Sequence, residues 1–207
     1  MDRILCLFIA ITSLGTLFAY SGIPVRRFKR TMFLYYTNIS NFIVGIYFLL
    51  LFIYRQYRVS FLAFTARSAV SFSVMMIIAV TFLVFHFVLV PYGIKNRSII
   101  KELNVNFTES VILHYVVPVS TVVYWFLYSD KSFRGFLYGI LWLGAPLVYF
   151  IFIMHRARNG NIEGTKSKYP YPFLDIERIG KLRCAGNVFM LFAVFVALSY
   201  IMYYGFS

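Results

Sequence analysis

The sequence predicts an all-α membrane protein, a polytopic bundle of six transmembrane helices, from its composition and from the spacing of its apolar stretches. Of the 207 residues, 61% are hydrophobic and only 13% are charged. A soluble domain has about 25% charged residues, so this chain could not cover a water-facing surface. The composition therefore excludes a soluble enzyme, a disordered chain and a disulfide-stabilised scaffold.

Six apolar stretches have the length that membrane-spanning helices need. A helix that crosses the hydrocarbon layer contains about 20 mostly apolar residues. The links between the stretches are too short for a separate soluble domain, so we expect a single membrane domain over residues 1–207. The predicted helices cover residues 4–20, 32–54, 69–90, 111–128, 135–154 and 185–204.

The cationic residues indicate both the environment and the orientation of the chain. It carries 20 Lys and Arg against 7 Asp and Glu, a net charge of +13. These cations lie between or at the ends of the apolar stretches, as in membrane proteins and unlike the basic face of a nucleic-acid-binding protein. The links after helices one, three and five carry 4, 3 and 7 of them, against 1, 3 and 2 at the N-terminus and in the other two links. We therefore expect the first set of links in the cytoplasm and both termini outside.

The sequence offers no ligand set for a metal or an organic cofactor. Cys6 and Cys184 do not form a CxxC motif, and the three histidines are scattered. Zinc sites need three or four ligand side chains together, and no carboxylate lies in the interior of a predicted helix. We therefore expect no cofactor, and the partners we expect are membrane lipids rather than nucleic acid.

A small set of neutral polar side chains lies within the predicted helices. The run YYTNISN in helix two contains Thr37, Asn38 and Asn41, while His86 lies near the end of helix three and His114 near the start of helix four. At 1.5 Å per residue, Thr37 and both histidines fall roughly 5–8 Å below the same membrane face. We therefore expect these groups to share the leaflet on the cation-rich side.

This polar set has a structural and a chemical interpretation. Asn38 and Asn41 share one helical face, so they could simply bond helix two to a neighbouring helix. Alternatively, a threonine hydroxyl becomes a nucleophile when a neutral histidine takes its proton, and Thr37 and His114 lie at matching depth. From the residues alone, an enzyme and a non-catalytic lipid-binding or transport protein both stay open.

Three short runs carry a resemblance to a known family: YYTNISN, HYVVP (His114–Pro118) and YPYPFLD (Tyr169–Asp175). From helix two to helix six, the chain resembles the androgen-induced membrane proteins of vertebrates and their bacterial six-helix relatives. That resemblance implies hydrolysis of fatty acid esters of hydroxy fatty acids by an intramembrane threonine and a histidine. It assigns the nucleophile to Thr37 and the base to His114.

The predicted site combines this resemblance with the depth of the polar residues. Thr37 would attack the acyl carbonyl of a lipid ester that enters sideways from the membrane, and His114 would take the hydroxyl proton. The developing oxyanion needs hydrogen-bond donors, and the candidates are Asn38, Asn41 and His86.

The YPYPFLD run ends in an acid, Asp175, which has two interpretations. Each proline fixes φ and biases the preceding residue toward extended geometry, so the run is expected to form a stiff segment. In one interpretation Asp175 is part of that rigid segment. In the other it reaches a histidine and fixes its tautomer, as the acid of a Ser-His-Asp triad does.

Overall fold

The computed structural model describes residues 1–95, 107–132 and 136–206, and it confirms the predicted all-α fold class. These residues form helices joined by turns and short 3-10 segments, and they contain no β-strand. The chain forms two compact units, Met1–Phe133 and Arg134–Ser207, and the single membrane domain over residues 1–207 stays a prediction.

Among its described residues, the first unit is built from four long helices. The third and fourth of these each contain a π-helical segment between two α-helical stretches. Short 3-10 turns precede the second and third helices. The helices are α1 (Asp2–Tyr20), α2 (Tyr36–Tyr57), α3 (Ser68–Val84, then the π segment Phe85–Leu89, then Val90–Lys95) and α4 (Phe107–Val111, then the π segment Ile112–Val116, then Val117–Tyr128).

The described part of the second unit contains short helices followed by one long helix. The sequence predicts a continuous helix over residues 135–154, of which residue 135 lies outside the described ranges. This prediction is wrong at Leu141–Leu143, where a 3-10 turn interrupts the α-helix. Pro146 has no N–H for the carbonyl of Trp142, four residues earlier, so the α-helical bonding cannot continue there. The helices are α5 (Phe136–Ile140), α6 (Gly144–Arg156), α7 (Ile176–Ile179) and α8 (Lys181–Phe206).

The long helices indicate an integral membrane protein. In the part of the chain that the structure describes, five helices are long and apolar enough to cross a membrane. Large apolar side chains are exposed along them, such as Phe42 on α2, Val123 on α4 and Phe189 on α8, as expected of surfaces that contact lipid. The five spans are Asp2–Tyr20, Tyr36–Tyr57, Ser68–Gly93, Phe107–Tyr128 and Lys181–Phe206.

α1 and α2 pack closely as an antiparallel pair. Asp2 at the start of α1 forms an ion pair with Arg55 in the last turn of α2. Between these ends, Gly45 allows the helices to approach, because a Cβ there would lie 2.6 Å from Leu14 Cγ. Small residues play this part in many membrane-helix interfaces. The buried core around the pair includes Cys6, Ile9, Val44, Phe48, Ile78 and Tyr124.

We expect Gly45→Val to lower the free energy of unfolding by about 1–3 kcal/mol, the usual range for overpacking a core. The new side chain would overlap Leu14 and force α1 away from α2. Gly15→Val is the matched control, because a Cβ at Gly15 meets nothing within 4 Å. Unfolding in mixed detergent micelles measures both variants, and equal losses of stability would contradict the close packing at Gly45.

Candidate functional site

Thr37 lies in the first turn of α2, closer to the helix end than the sequence predicts. The predicted start at residue 32 is wrong: α2 begins at Tyr36, because a 3-10 turn over Arg30–Leu34 precedes it. Asn38 donates its Nδ2–H to the carbonyl of Met32 at 2.7 Å and so holds that turn against the helix. The first turn is the positive end of the helix dipole, so the Thr37 hydroxyl lies where negative charge is stabilised.

The hydroxyl of Thr37 and the imidazole of His114 lie within hydrogen-bond distance. Thr37 Oγ1 is 3.2 Å from His114 Nε2. The other ring nitrogen, Nδ1, is 2.8 Å from the carbonyl oxygen of Ser110 and 3.3 Å from the hydroxyl of that residue. Because a carbonyl only accepts, Nδ1 carries the proton, and Nε2 of the neutral ring offers its lone pair to the Thr37 hydroxyl. This is the tautomer that a general base needs.

A π-helical segment in α4 positions His114. Within Ile112–Val116 the helix takes up one extra residue per turn, and the N–H of Val117 bonds to the carbonyl of Ile112, five residues back. Pro118 follows immediately and has no N–H, so the α-helical bond to the carbonyl of His114 cannot form. Such π segments are rare, and they occur frequently at functional sites.

A second π segment, Phe85–Leu89 in α3, supplies the surface against which the imidazole packs. The ring of Phe85 stacks on His114, with 3.7 Å between ring centroids and 21° between ring planes. Pro91 lies two residues beyond this segment, as Pro118 does beyond the segment in α4. Neither segment is predicted from the sequence, and the signal that could reveal them is a proline within or directly after the predicted helix.

Asn41 bonds the backbone of α2 at Thr37 to the backbone of α4 at Leu113, the residue before His114. It is fully buried, and its Nδ2 donates to the carbonyl of Thr37 at 2.8 Å and to the carbonyl of Leu113 at 3.0 Å. The backbone carbonyl of Asn41 accepts the hydroxyl of Ser13 in α1 at 2.7 Å. Both amide hydrogens are therefore engaged, and the predicted role as an oxyanion donor would require one of these bonds to break. The structure thus gathers Thr37, His114 and Asn41 at one place.

The other two predicted oxyanion donors form bonds elsewhere. Asn38 is buried and donates to Met32, so it acts on the turn before α2. His86 is exposed, and its Nδ1 lies 3.1 Å from the hydroxyl of Tyr115. Its ring also stacks on Phe82, with 5.7 Å between centroids. These contacts give Asn38 and His86 structural roles, in the turn before α2 and between α3 and α4.

Asp175 lies in the second unit, where it caps a short helix. Its Oδ1 accepts the backbone N–H of Arg178 at 3.2 Å, and its Oδ2 accepts the hydroxyl of Ser167 at 3.1 Å. These bonds make Asp175 the N-cap of α7, which agrees with its interpretation as part of a rigid segment. Its contact with a histidine stays a prediction.

The proline-containing segment before Asp175 is bonded to α8. Asn187 donates its Nδ2–H to the carbonyl of Phe173 at 3.1 Å. The thiol of Cys184 lies 3.7 Å from the carbonyl of Leu174. These two bonds hold the segment against the helix that follows it in the chain.

Metal ligands are not grouped within the described ranges. Those residues contain no cluster of three or more His, Cys, Asp or Glu side chains that could hold a metal ion. Both cysteines are buried free thiols, and Cys6 belongs to the apolar core of the first unit.

We expect Asp175→Ala to lower the stability of the second unit by about 0.5–2 kcal/mol, the usual effect of removing an N-cap. Asp175→Asn should keep most of that stability, because an asparagine side chain caps a helix about as well as an aspartate. Thermal unfolding and limited proteolysis of the two variants measure the difference. If both variants lose the same stability, the capping role is wrong.

No protein-family model, no curated protein and no solved structure matches this chain. The Thr37–His114 pair and the groups that hold it are therefore the features of the chain that bear on its function.

Proposed function

We propose that this chain is an intramembrane hydrolase of lipid esters, with Thr37 as the nucleophile and His114 as the general base. The observation that carries the proposal is the 3.2 Å separation between Thr37 Oγ1 and His114 Nε2. The carbonyl of Ser110 supports it, because a proton on Nδ1 leaves Nε2 as the acceptor. A purely structural contact between two helices would not need this tautomer.

In the proposed reaction, His114 Nε2 takes the hydroxyl proton while Thr37 Oγ1 attacks the acyl carbonyl carbon. The ester C–O bond then breaks, and the imidazolium returns the proton to the leaving alcohol. Water attacks the resulting acyl-threonine with His114 again as the base, and the threonine hydroxyl is restored as the fatty acid leaves. The net reaction converts one ester and one water into one alcohol and one carboxylic acid.

The position of Thr37 supports the charge that this reaction develops. Thr37 lies in the first turn of the 22-residue helix α2, whose N-terminal end carries a partial positive charge of about half an elementary charge. Fixed dipoles of this kind stabilise an oxyanion more strongly in a water-poor site than in water. Thr37 is only 9% exposed. We therefore assign the stabilisation of the oxyanion to this helix end.

Lipid esters are the substrate class that fits the surroundings of the pair. Thr37 and His114 belong to helices that are apolar enough to cross a membrane. Two exposed aromatic side chains close to Thr37 in the sequence, Phe33 and Phe42, pack edge to face with centroids 6.1 Å apart, a surface suited to acyl chains. The resemblance to the androgen-induced family extends the proposal to fatty acid esters of hydroxy fatty acids.

We expect Thr37→Ala and His114→Ala each to reduce ester hydrolysis at least about 100-fold. The first removes the nucleophile that forms the acyl intermediate, and the second removes a positioned base, which contributes about 10²–10⁴-fold. Thr81→Ala is the matched control, since Thr81 is another buried threonine of a membrane helix, bonded to the hydroxyl of Ser40 at 2.8 Å. The measurements are hydrolysis of a fatty acid ester of a hydroxy fatty acid and covalent labelling by a fluorophosphonate probe.

Undiminished hydrolysis and labelling in both variants would overturn this proposal. A wild-type chain that binds lipid esters but hydrolyses none would favour the alternative, a non-catalytic lipid-binding or transport protein. In that case, the hydroxyl and the imidazole would hydrogen-bond a lipid headgroup instead of reacting.

We further propose that the cation-rich links face the cytoplasm and that both termini lie outside. The excess of Lys and Arg in the links after the predicted helices 4–20, 69–90 and 135–154 supports this orientation. Val25 and Ser60 are exposed and lie in links on opposite sides of α2. They therefore offer a matched pair of positions for labelling.

We expect a membrane-impermeant maleimide to label Ser60→Cys in intact cells, and to label Val25→Cys only after the membrane is permeabilised. Both variants are made in a chain with Cys6 and Cys184 replaced by alanine, so that each carries one thiol. Labelling of Val25→Cys in intact cells, with protection of Ser60→Cys, would reverse the orientation.

A further inference from the structure

We propose that Asn41 is a positioning residue that holds the backbone of Thr37 to that of Leu113, the residue before His114, and that Pro118 creates the need for it. We call the two bonds from Asn41 Nδ2 to the carbonyls of Thr37 and Leu113 the clamp. The evidence for the clamp is the pattern of hydrogen bonds around Leu113. Its part in catalysis rests on the function proposed above.

The first step concerns the carbonyl of Leu113. In an α-helix this carbonyl would accept the N–H of Val117, but that N–H bonds to Ile112 instead. In the π-helical pattern its donor would be residue 118, and Pro118 has no N–H. Both helical patterns therefore leave the carbonyl of Leu113 without a donor from α4.

The second step concerns the donor that replaces the helical one. Water is absent from the hydrocarbon core, so an unbonded carbonyl there is strongly unfavourable. Asn41 Nδ2 donates to Leu113 at 3.0 Å across the helix interface and to Thr37 at 2.8 Å within its own helix. One planar amide thus bonds the backbone of the proposed nucleophile and that of the residue before His114.

The third step concerns the place of Asn41 between the helices. Asn41 is fully buried, and Ser13 in α1 donates to its backbone carbonyl at 2.7 Å. Three helices therefore meet at Asn41. A shift of α4 along α2 would break the bond to Leu113 and would also change the distance between Thr37 Oγ1 and His114 Nε2.

A double-mutant cycle of stability tests the clamp without reference to catalysis. We expect Asn41→Ala to lower the ratio of folded to unfolded protein by about fivefold to tenfold, the effect of losing buried hydrogen bonds. In a Pro118→Ala background the same change should have about half that effect or less, because residue 118 regains an N–H and α4 can bond Leu113 by itself. Additive effects would overturn the proposal.

Two further variants keep this cycle interpretable. Asn41→Ser retains a hydroxyl that can bond the carbonyl of Thr37, four residues earlier, but it cannot reach Leu113. It is the milder variant if Asn41→Ala fails to fold, and the same coupling with Pro118→Ala is expected. Asn187→Ala removes a comparable amide-to-carbonyl bond in the second unit. Its effect should be the same with and without Pro118.

Kinetics test whether the clamp positions the reacting groups. We expect Asn41→Ser to lower kcat at least about tenfold per folded molecule, with KM changed less than about twofold, because misplacement of reacting groups acts mainly on the chemical step. A merely structural role would reduce the amount of folded enzyme and leave kcat per folded molecule unchanged. The folded amount is measured by size-exclusion chromatography before the assay.

The two experiments separate the clamp from the proposed function. A coupled cycle in a chain that hydrolyses no ester would retain the clamp and overturn the function. Additive stability effects in an active esterase, with an unchanged kcat in Asn41→Ser, would overturn the clamp and retain the function.

Discussion

A backbone carbonyl that its own helix cannot bond is the constraint on which the first unit depends. Within a membrane, the protein itself must satisfy every backbone N–H and C=O group. Pro118 removes a donor from α4, and the neighbouring π segment shifts the N–H of Val117 to Ile112. The carbonyl of Leu113 is then bonded from α2 by Asn41. A local rule of helix geometry in α4 thus requires a polar side chain at one position of another helix.

The long helices could be predicted from the sequence, because a membrane span is recognised from an average over about 20 residues. The irregular points could not, because each depends on a few hydrogen bonds. The apolar Met32 and Phe33 look like the start of α2, yet they belong to a 3-10 turn. Pro146 lies inside an apolar stretch that hydropathy treats as continuous, and the missing N–H divides that stretch into α5 and α6.

The candidate site, too, could be predicted from the sequence only in part. The matching depth of Thr37 and His114 needs only the rise per residue of a helix, and the two side chains lie 3.2 Å apart although Thr37 is nearer the helix end than predicted. A bond from Asn41 to a neighbouring helix was one of the two sequence interpretations, but its acceptor, the carbonyl of Leu113, could not be predicted, because it depends on which carbonyl of α4 loses its donor. A proline four residues after a membrane histidine is a signal that sequence reasoning could use, since it marks a helix whose backbone bonds must rearrange beside that histidine.

The groups around His114 would also allow the proposed base to function in an apolar bundle. A buried ionised acid is strongly unfavourable in a membrane unless it is paired. The carbonyl of Ser110 fixes the tautomer through Nδ1, as a triad acid would, but adds no net charge. In the proposed reaction the imidazolium exists only while an oxyanion forms beside it, so the charges arise as a pair. The face of Phe85, 3.7 Å from the imidazole, then meets a cation, an arrangement that aromatic rings favour. A neutral resting pair that becomes charged only with substrate bound is therefore compatible with its place in the membrane.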